Sequence, residues 1–95
     1  MNERRLLDAR AMPRLAPHVR LRFDEGRKQW VVLAPERLLV PDEIAVEVLK
    51  LCDGELSVAG MITILAERYA ASGDTLGKDV LELLQDLTDQ GILAV

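Results

Sequence analysis

Two prolines, Pro35 and Pro41, bracket the five residues Glu36 to Val40, and a helix with both of its ends marked begins directly after them. The run Glu36-Arg37-Leu38-Leu39-Val40 reads as a β-strand. Proline has no N–H to give to a ladder, so a strand held between two prolines pairs over a short length and belongs at a sheet edge. An unpaired edge is a template on which another chain can add. After it, Asp42 is placed to accept a hydrogen bond from the first free amides of a helix. Glu43 suits the positive end of that helix, and Asp53-Gly54 supplies a left-handed stop. The sequence therefore commits the chain to a strand that hands over directly to a helix.

Upstream, Val19, Leu21 and Phe23 alternate with Arg20, Arg22 and Asp24, the period-2 pattern of a half-buried strand. Asp24-Glu25-Gly26-Arg27 is a turn, with Gly26 free to adopt positive φ. The chain returns through Gln29, Trp30, Val31, Val32 and Leu33, so that Glu36 to Val40 becomes the third strand of an antiparallel meander. Such a sheet cannot leave an apolar face bare, and helices must cover it. Trp30, on the central strand, is expected to be largely packed, with its removal costing about 3 kcal/mol or more. The alternative is an exposed peptide contact, since tryptophan is frequent in binding hot spots.

Three helical patterns follow. Asp42 to Cys52 carries Ala45, Val48, Leu49 and Cys52 on one stripe. The second starts at the N-cap Ser57, carries Val58, Met61, Ile62, Leu65 and Tyr69, and lacks a reciprocal capping box because Gly60 stands at its N3 position. Ser72-Gly73-Asp74 is read as its end. The third runs from about Leu76 to Gln90, with Leu76, Val80, Leu83, Leu84 and Leu87 as core stripe and Gly91 as stop. Beside that stripe lies a second one, Gly77, Leu81, Leu84 and Thr88. It is either the flank of a helix buried through a wide arc or the apolar wall of a groove beside the sheet edge. The last run, Ile92 to Val95, is expected to pack back on the domain.

Ninety-five residues make one domain. Residues 1–17 mix charges with scattered apolar residues and two prolines, which reads as a flexible arm or linker, with Leu15 a candidate to dock, before a domain over residues 18–95. The net charge of −4 divides unevenly, at +4 over residues 1–40 and −8 over residues 41–95. Most of the helical surface would repel a polyanion, and a partner of mixed charge would be steered by the dipolar distribution. The single cysteine excludes an internal disulfide and fits a reducing compartment. No apolar run approaches the length of a membrane span, and a soluble, cytoplasmic monomer is expected.

Catalytic chemistry lacks its partners. The one histidine, His18, stands in a Pro-His-Val context at a strand start and reads as a solvated or turn residue. Cys52 falls on a core stripe beside Asp53, the opposite of the basic setting a reactive thiolate wants. Asp86 and Asp89 lie on a solvated helix face. No phosphate loop, metal-ligand spacing or nucleophile elbow is present, so neither an enzyme nor a cofactor or metal is expected.

Three strands followed by three helices describe an α+β, winged-helix-like module. Winged helices commonly bind DNA, but the third helix sets Asp79, Glu82, Asp86 and Asp89 against Lys78 alone, the wrong sign for phosphate contacts. DNA binding therefore stands as the second reading, and a subunit that only holds an assembly together as the third.

The same residues closely resemble the pyrroloquinoline quinone biosynthesis chaperone (PqqD) family over about residues 13–94. The resemblance rests on Pro13 with Leu15-Ala16-Pro17, on Val19-Arg20-Leu21-Arg22-Phe23-Asp24, on Trp30 with Val31-Val32-Leu33, and on Pro35-Glu36. It continues through Val48-Leu49-Lys50-Leu51-Cys52-Asp53-Gly54, Ile62 and Tyr69, then Asp79-Val80, Leu83-Leu84 and Gly91-Ile92-Leu93. Asp42 and Gly60 depart from the family's usual Asn-like and acidic residues. The resemblance implies a peptide-recognition element without catalysis of its own. It would bind a short ribosomally made precursor peptide and present it to a radical S-adenosylmethionine enzyme that joins a glutamate and a tyrosine. By the same analogy the peptide would add as a strand along Arg37, Leu38, Leu39 and Val40, with Gly77, Leu81, Leu84 and Thr88 of the third helix as the other wall. Family members also occur fused to another enzyme of the pathway, which would make residues 1–17 a linker.

Overall fold

The computed structural model describes residues 6–95. The elements follow in the order β1 (Arg14–Leu15), β2 (Arg20–Asp24), β3 (Gln29–Ala34), β4 (Arg37–Leu39), α1 (Glu43–Lys50), α2 (Val58–Tyr69), α3 (Gly73–Asp89) and β5 (Leu93–Ala94). Strands β2, β3 and β4 form the antiparallel meander in that spatial order, and β1 pairs with β5 in a separate two-stranded ladder. This is the α+β, winged-helix-like arrangement expected from the sequence.

Register assigns each residue of the sheet to a face. Leu21, Val32 and Leu39 are cross-strand partners, and all three pack into the core with Val48, Leu49, Met61, Leu65, Val80, Leu84 and Ile92. Directly paired residues share a face. Arg20, Leu33 and Leu38 therefore lie together on the opposite face, with Arg22 and Val31 as the next row.

Local chemistry explains the helix ends. The Asp42 carboxylate accepts from the Ala45 N–H at 2.8 Å, and Ser57 Oγ accepts from the Gly60 N–H at 3.1 Å, so both caps are made as their side chains allow. A Cβ at position 60 would stand 2.6 Å from Leu56 Cδ1; Leu56 occupies the space an acidic residue there would need. Helix α1 is shorter than the expected Asp42 to Cys52, because Leu51 caps it and Gly54, at φ 81, reverses the chain. Between α2 and α3 the break falls elsewhere than expected. Ala70 ends α2 in the left-handed region at φ 49, and Ser72 is the N-cap of α3, so Gly73 and Asp74 belong to the first turn of α3. Asp74 is acceptable there because a carboxylate complements the positive helix end.

Two turns differ in detail. Asp24 Oδ1 accepts from the Gly26 and Arg27 amides, but the left-handed residue of the loop is Lys28, at φ 55, rather than Gly26. The third strand is Arg37–Leu39 rather than Glu36 to Val40, because Glu36 takes φ 63 in a two-residue turn with Pro35.

The segment before residue 18, read as a flexible arm or linker, is laid against the domain over residues 6–17; residues 1–5 of that segment lie outside the described residues. Pro13 is fully buried, and β1 pairs Arg14 with Ala94 and Leu15 with Leu93. The Ala11 and Ala9 carbonyls accept from the Val58 and Ala59 amides at 2.8 and 3.0 Å, satisfying two otherwise free donors at the start of α2. The Pro13 carbonyl accepts from the Gly54 N–H at 3.0 Å, and the Leu7 N–H donates to Gln85 Oε1 at 2.9 Å. The expected return of Ile92 to Val95 onto the domain is made by β5, with Ile92 and Leu93 buried.

Candidate functional site

Strands β2 and β4 are the two edges of the meander, and β4 is the one joined to the end of α3. Its backbone polarity follows from the turn. A hairpin closed by two residues exchanges both backbone bonds between its flanking pair, here Ala34 and Arg37, and alternates from there. Leu33–Leu38 is then the pair without mutual bonds, and Val32–Leu39 is bonded. The Leu38 N–H and C=O therefore face the open edge, whereas the Leu39 amide belongs to the ladder with β3. Side chains alternate too: Leu39 is half-buried against the core, and Leu38 and Val40 are 54% and 55% exposed.

The start of β4 is tied to the end of α3. Arg37 donates from Nη1 to the Gln90 carbonyl at 3.2 Å and from Nη2 to Gln90 Oε1 at 2.6 Å. The arginine charge also lies where the negative helix end favours it. Strand edge and helix terminus are fixed to each other at this point.

The α3 residues expected to form a groove wall are not equivalent. Leu84 has no exposed surface, and Gly77 is buried where α3 meets α2, with a Cβ at position 77 falling 3.4 Å from Ile62 Cδ1. These two support the helix from beneath. Leu81 is half-buried against the core, and Thr88, also half-buried, donates its hydroxyl to the Leu84 carbonyl at 2.7 Å. Four sites were thus expected along the helix, and Leu81 and Thr88 are the two that keep accessible surface. Periodicity places residues on a stripe but does not say which neighbouring helix the stripe meets; Gly77 goes to α2.

Three concavities of about 470, 430 and 350 Å³ indent the surface. The first lies between the segment before β1 and Gly54 and Val95, the second on the outer face of the sheet, and the third beside Trp30.

Trp30, expected to be largely packed, is only half-buried. Its ring meets Phe23 edge-on at 5.5 Å, and Lys50 Nζ of α1 lies 4.6 Å from the ring centroid. It sits at the end of the sheet next to Pro41, Val46 and Glu47. The Cys52 thiol donates to the Val48 carbonyl at 3.3 Å, and its pKa is pushed up to about 12 by burial first and the Asp53 carboxylate second. It is a small hydrophobe with no thiolate at neutral pH. His18 is exposed, in a turn at φ 69. Among the described residues no cluster of His, Cys, Asp and Glu is placed to hold a metal ion, and no helix is long and apolar enough to cross a membrane.

Comparison with known proteins places this geometry. The family model for coenzyme PQQ synthesis protein D (PqqD) matches residues 29–93. The PqqA binding protein of Rhodopseudomonas palustris (strain TIE-1) is 58% identical over 81 residues, 85% of this chain and 79% of that protein. The bifunctional coenzyme PQQ synthesis protein C/D of Methylorubrum extorquens is 44% identical over 82 residues, which is 86% of this chain and 22% of that longer protein. Among solved structures, the solution NMR structure of the PqqD truncation of Methylobacterium extorquens PqqCD matches with a TM-score of 0.79 at 40% identity. That likeness covers 94% of this chain and 95% of that one, and the truncation is described there as a functional, stand-alone recognition element for ribosomally synthesized and modified peptides. The crystal structure of PqqD from Xanthomonas campestris matches with a TM-score of 0.60 at 38% identity, over 85% and 90% of the two chains. With a family model matched over about two thirds of its length, close relatives and the same open-edged three-stranded sheet and three helices, the chain belongs to the PqqD family, the non-catalytic peptide-recognition elements of pyrroloquinoline quinone biosynthesis.

Proposed function

We propose that this chain binds the ribosomally made precursor peptide of pyrroloquinoline quinone and presents it to a radical S-adenosylmethionine enzyme, which joins a glutamate and a tyrosine of the peptide. The observation that carries this is the unpaired edge of β4, whose first residue is fixed to the end of α3 through Arg37 and Gln90. The peptide adds as a fourth strand, taking main-chain bonds from Leu38 and placing alternate side chains toward α3. Arg37, Leu38, Leu39 and Val40 form the strand side of the site. Leu81 and Thr88 line the helix side, with Gly77 and Leu84 beneath them. The work needs no cofactor, and the setting is a cytoplasmic monomer, free or joined to another enzyme of the pathway. DNA fits poorly, because Asp79, Glu82, Asp86 and Asp89 are all exposed on α3.

Titration of the isotope-labelled chain with the precursor peptide tests the reading. The largest amide shifts are expected at Arg37 to Val40, with side-chain shifts at Leu81 and Thr88 and little change at His18 and Cys52. Largest shifts around the Gly26 turn would put the site elsewhere. No shift at all with saturating peptide would end the peptide reading.

A further inference from the structure

The outer face of the sheet keeps open surface at Arg20, Arg22 and Leu38. Strand β2 places only polar residues there, Arg20, Arg22 and Asp24, as an antiparallel sheet facing water should. Strand β3 does not follow that pattern. Its residues Trp30 to Leu33 are apolar on both faces, a run that belongs to a strand covered on both sides. Val31 and Leu33 point outward with Leu38 of β4. Val31, 5% exposed and outside the main core, is the screened centre of this face, and its accessible apolar surface is half-buried Leu33 and exposed Leu38. A concavity of about 430 Å³ opens there, walled by Val31, Leu33, Leu38 and Arg22, with Asp24 and Glu25 at its hairpin end. Arg20 is exposed, as is Arg22, and neither has an ion-pair partner among the described residues. An apolar centre rimmed by Arg20 and Arg22 along the strands, with Asp24 and Glu25 confined to the hairpin end, is the make-up of an interface rather than of a solvated sheet.

The charge and shape of the face select the occupant. A second copy fits badly. Two sheets meeting face to face would bring the arginines of both together. The helical surface of a second copy is acidic but offers no apolar stripe, since the stripes of its helices are spent on the core. Three strands over about five residues give a face of roughly 240 Å², the footprint of a single helix laid across the sheet.

We infer that the Arg20-Leu33-Leu38 and Arg22-Val31 rows of the outer sheet face form the docking surface for the modifying enzyme, which covers them with one amphipathic helix carrying an apolar stripe flanked by carboxylates. This rests on the presenter reading above. It adds that enzyme and peptide occupy different parts of one sheet, the face and the edge, and meet along β4. The small footprint makes the contact weak alone and stronger when the bound peptide also engages the enzyme, as two linked contacts reinforce each other.

The test uses the purified radical enzyme of the same pathway and the full chain. Binding of the enzyme and binding of the precursor peptide are measured separately for the wild type, for the double variant Arg20→Glu/Arg22→Glu, and for Leu33→Thr. Thermal melts verify the fold of each. Both variants are expected to weaken enzyme binding by about tenfold or more while peptide affinity stays within about twofold, and the wild-type enzyme affinity should fall with added salt. Enzyme binding unchanged in folded variants would overturn the docking surface and leave the presenter reading standing. Peptide affinity falling in step with enzyme affinity would assign the face to the peptide site and also overturn it. Wild type that binds peptide but not enzyme would overturn both. Concentration-dependent self-association that disappears in the arginine variant would give the face to a second copy.

Discussion

The two faces of the β2-β3-β4 sheet are built from neighbouring residues and have opposite fates. On the inner face Leu21, Val32 and Leu39 disappear into the core, and Val32 keeps 1% of its surface. One residue along on each strand, Arg20, Leu33 and Leu38 look outward. Because side chains alternate with period 2, a single position decides whether a substitution strikes the folding free energy or a surface. The comparison teaches that neighbouring residues of the same three strands serve the core and the open surface, with Leu39 alone both packed inward and placed on the proposed peptide strand. It can be broken at several points.

The largest effect is expected from Val32→Asp, which puts an unpaired charge into the core and should destabilise the domain by more than about 4 kcal/mol, leaving it unfolded in urea titrations. Its neighbour Leu33→Thr should stay within about 1 kcal/mol of wild type. Equal losses would mean that both faces are structural.

The edge sharpens the comparison along a single strand. Leu39→Pro removes a ladder bond to β3 and should cost about 3 kcal/mol of stability, whereas Leu38→Pro removes a donor that faces outward. Leu38→Pro should therefore stay folded while losing about 1 to 3 kcal/mol of peptide affinity, read by calorimetric titration. Reversed behaviour of the two prolines would shift the register by one residue.

Trp30→Ala comes next. The half-buried ring loses its Phe23 and Lys50 contacts but leaves no sealed cavity, so a loss of about 2 kcal/mol is expected, below the cost of a fully packed tryptophan. Differential melts measure it.

The smallest effect at neutral pH concerns Cys52. The folded state raises this thiol from 9.0 to about 12, so its contribution to stability is complete below about pH 9 and is lost as pH rises toward 12. At pH 8 native protein should resist alkylation and react once denatured; rapid modification of folded protein would show the α1 stripe to be open.

How much of this was legible in the sequence depends on whether a side chain or the backbone makes the contact. Asp42 and Ser57 announce helix starts because their own oxygens make the caps, and Val19 to Phe23 alternates because one face is buried. The segment over residues 6–17 was missed because its attachments are Ala9, Ala11 and Pro13 carbonyls, which every residue type possesses. The α2–α3 boundary was missed because Ala70, with no preference for left-handed geometry, ends α2, while Ser72-Gly73-Asp74 resembles a stop and is a start. On α3, the spacing of Gly77, Leu81, Leu84 and Thr88 was correct as a stripe. Which of them keep accessible surface depended on Ile62 of another helix, and no local pattern carries that.

The pairing of β1 with β5 has a kinetic consequence. It joins Arg14 to Ala94, so nearly the whole chain must be closed into a loop before this ladder can form, whereas the β2-β3-β4 hairpins close over a few residues each. On loop-closure grounds the seam between the two ends is expected to zip after the meander hairpins have formed. Contacts formed after the transition state affect mainly the unfolding rate, so weakening the seam is expected to quicken unfolding more than it slows folding. The seam thus acts as a latch on the lifetime of the folded domain.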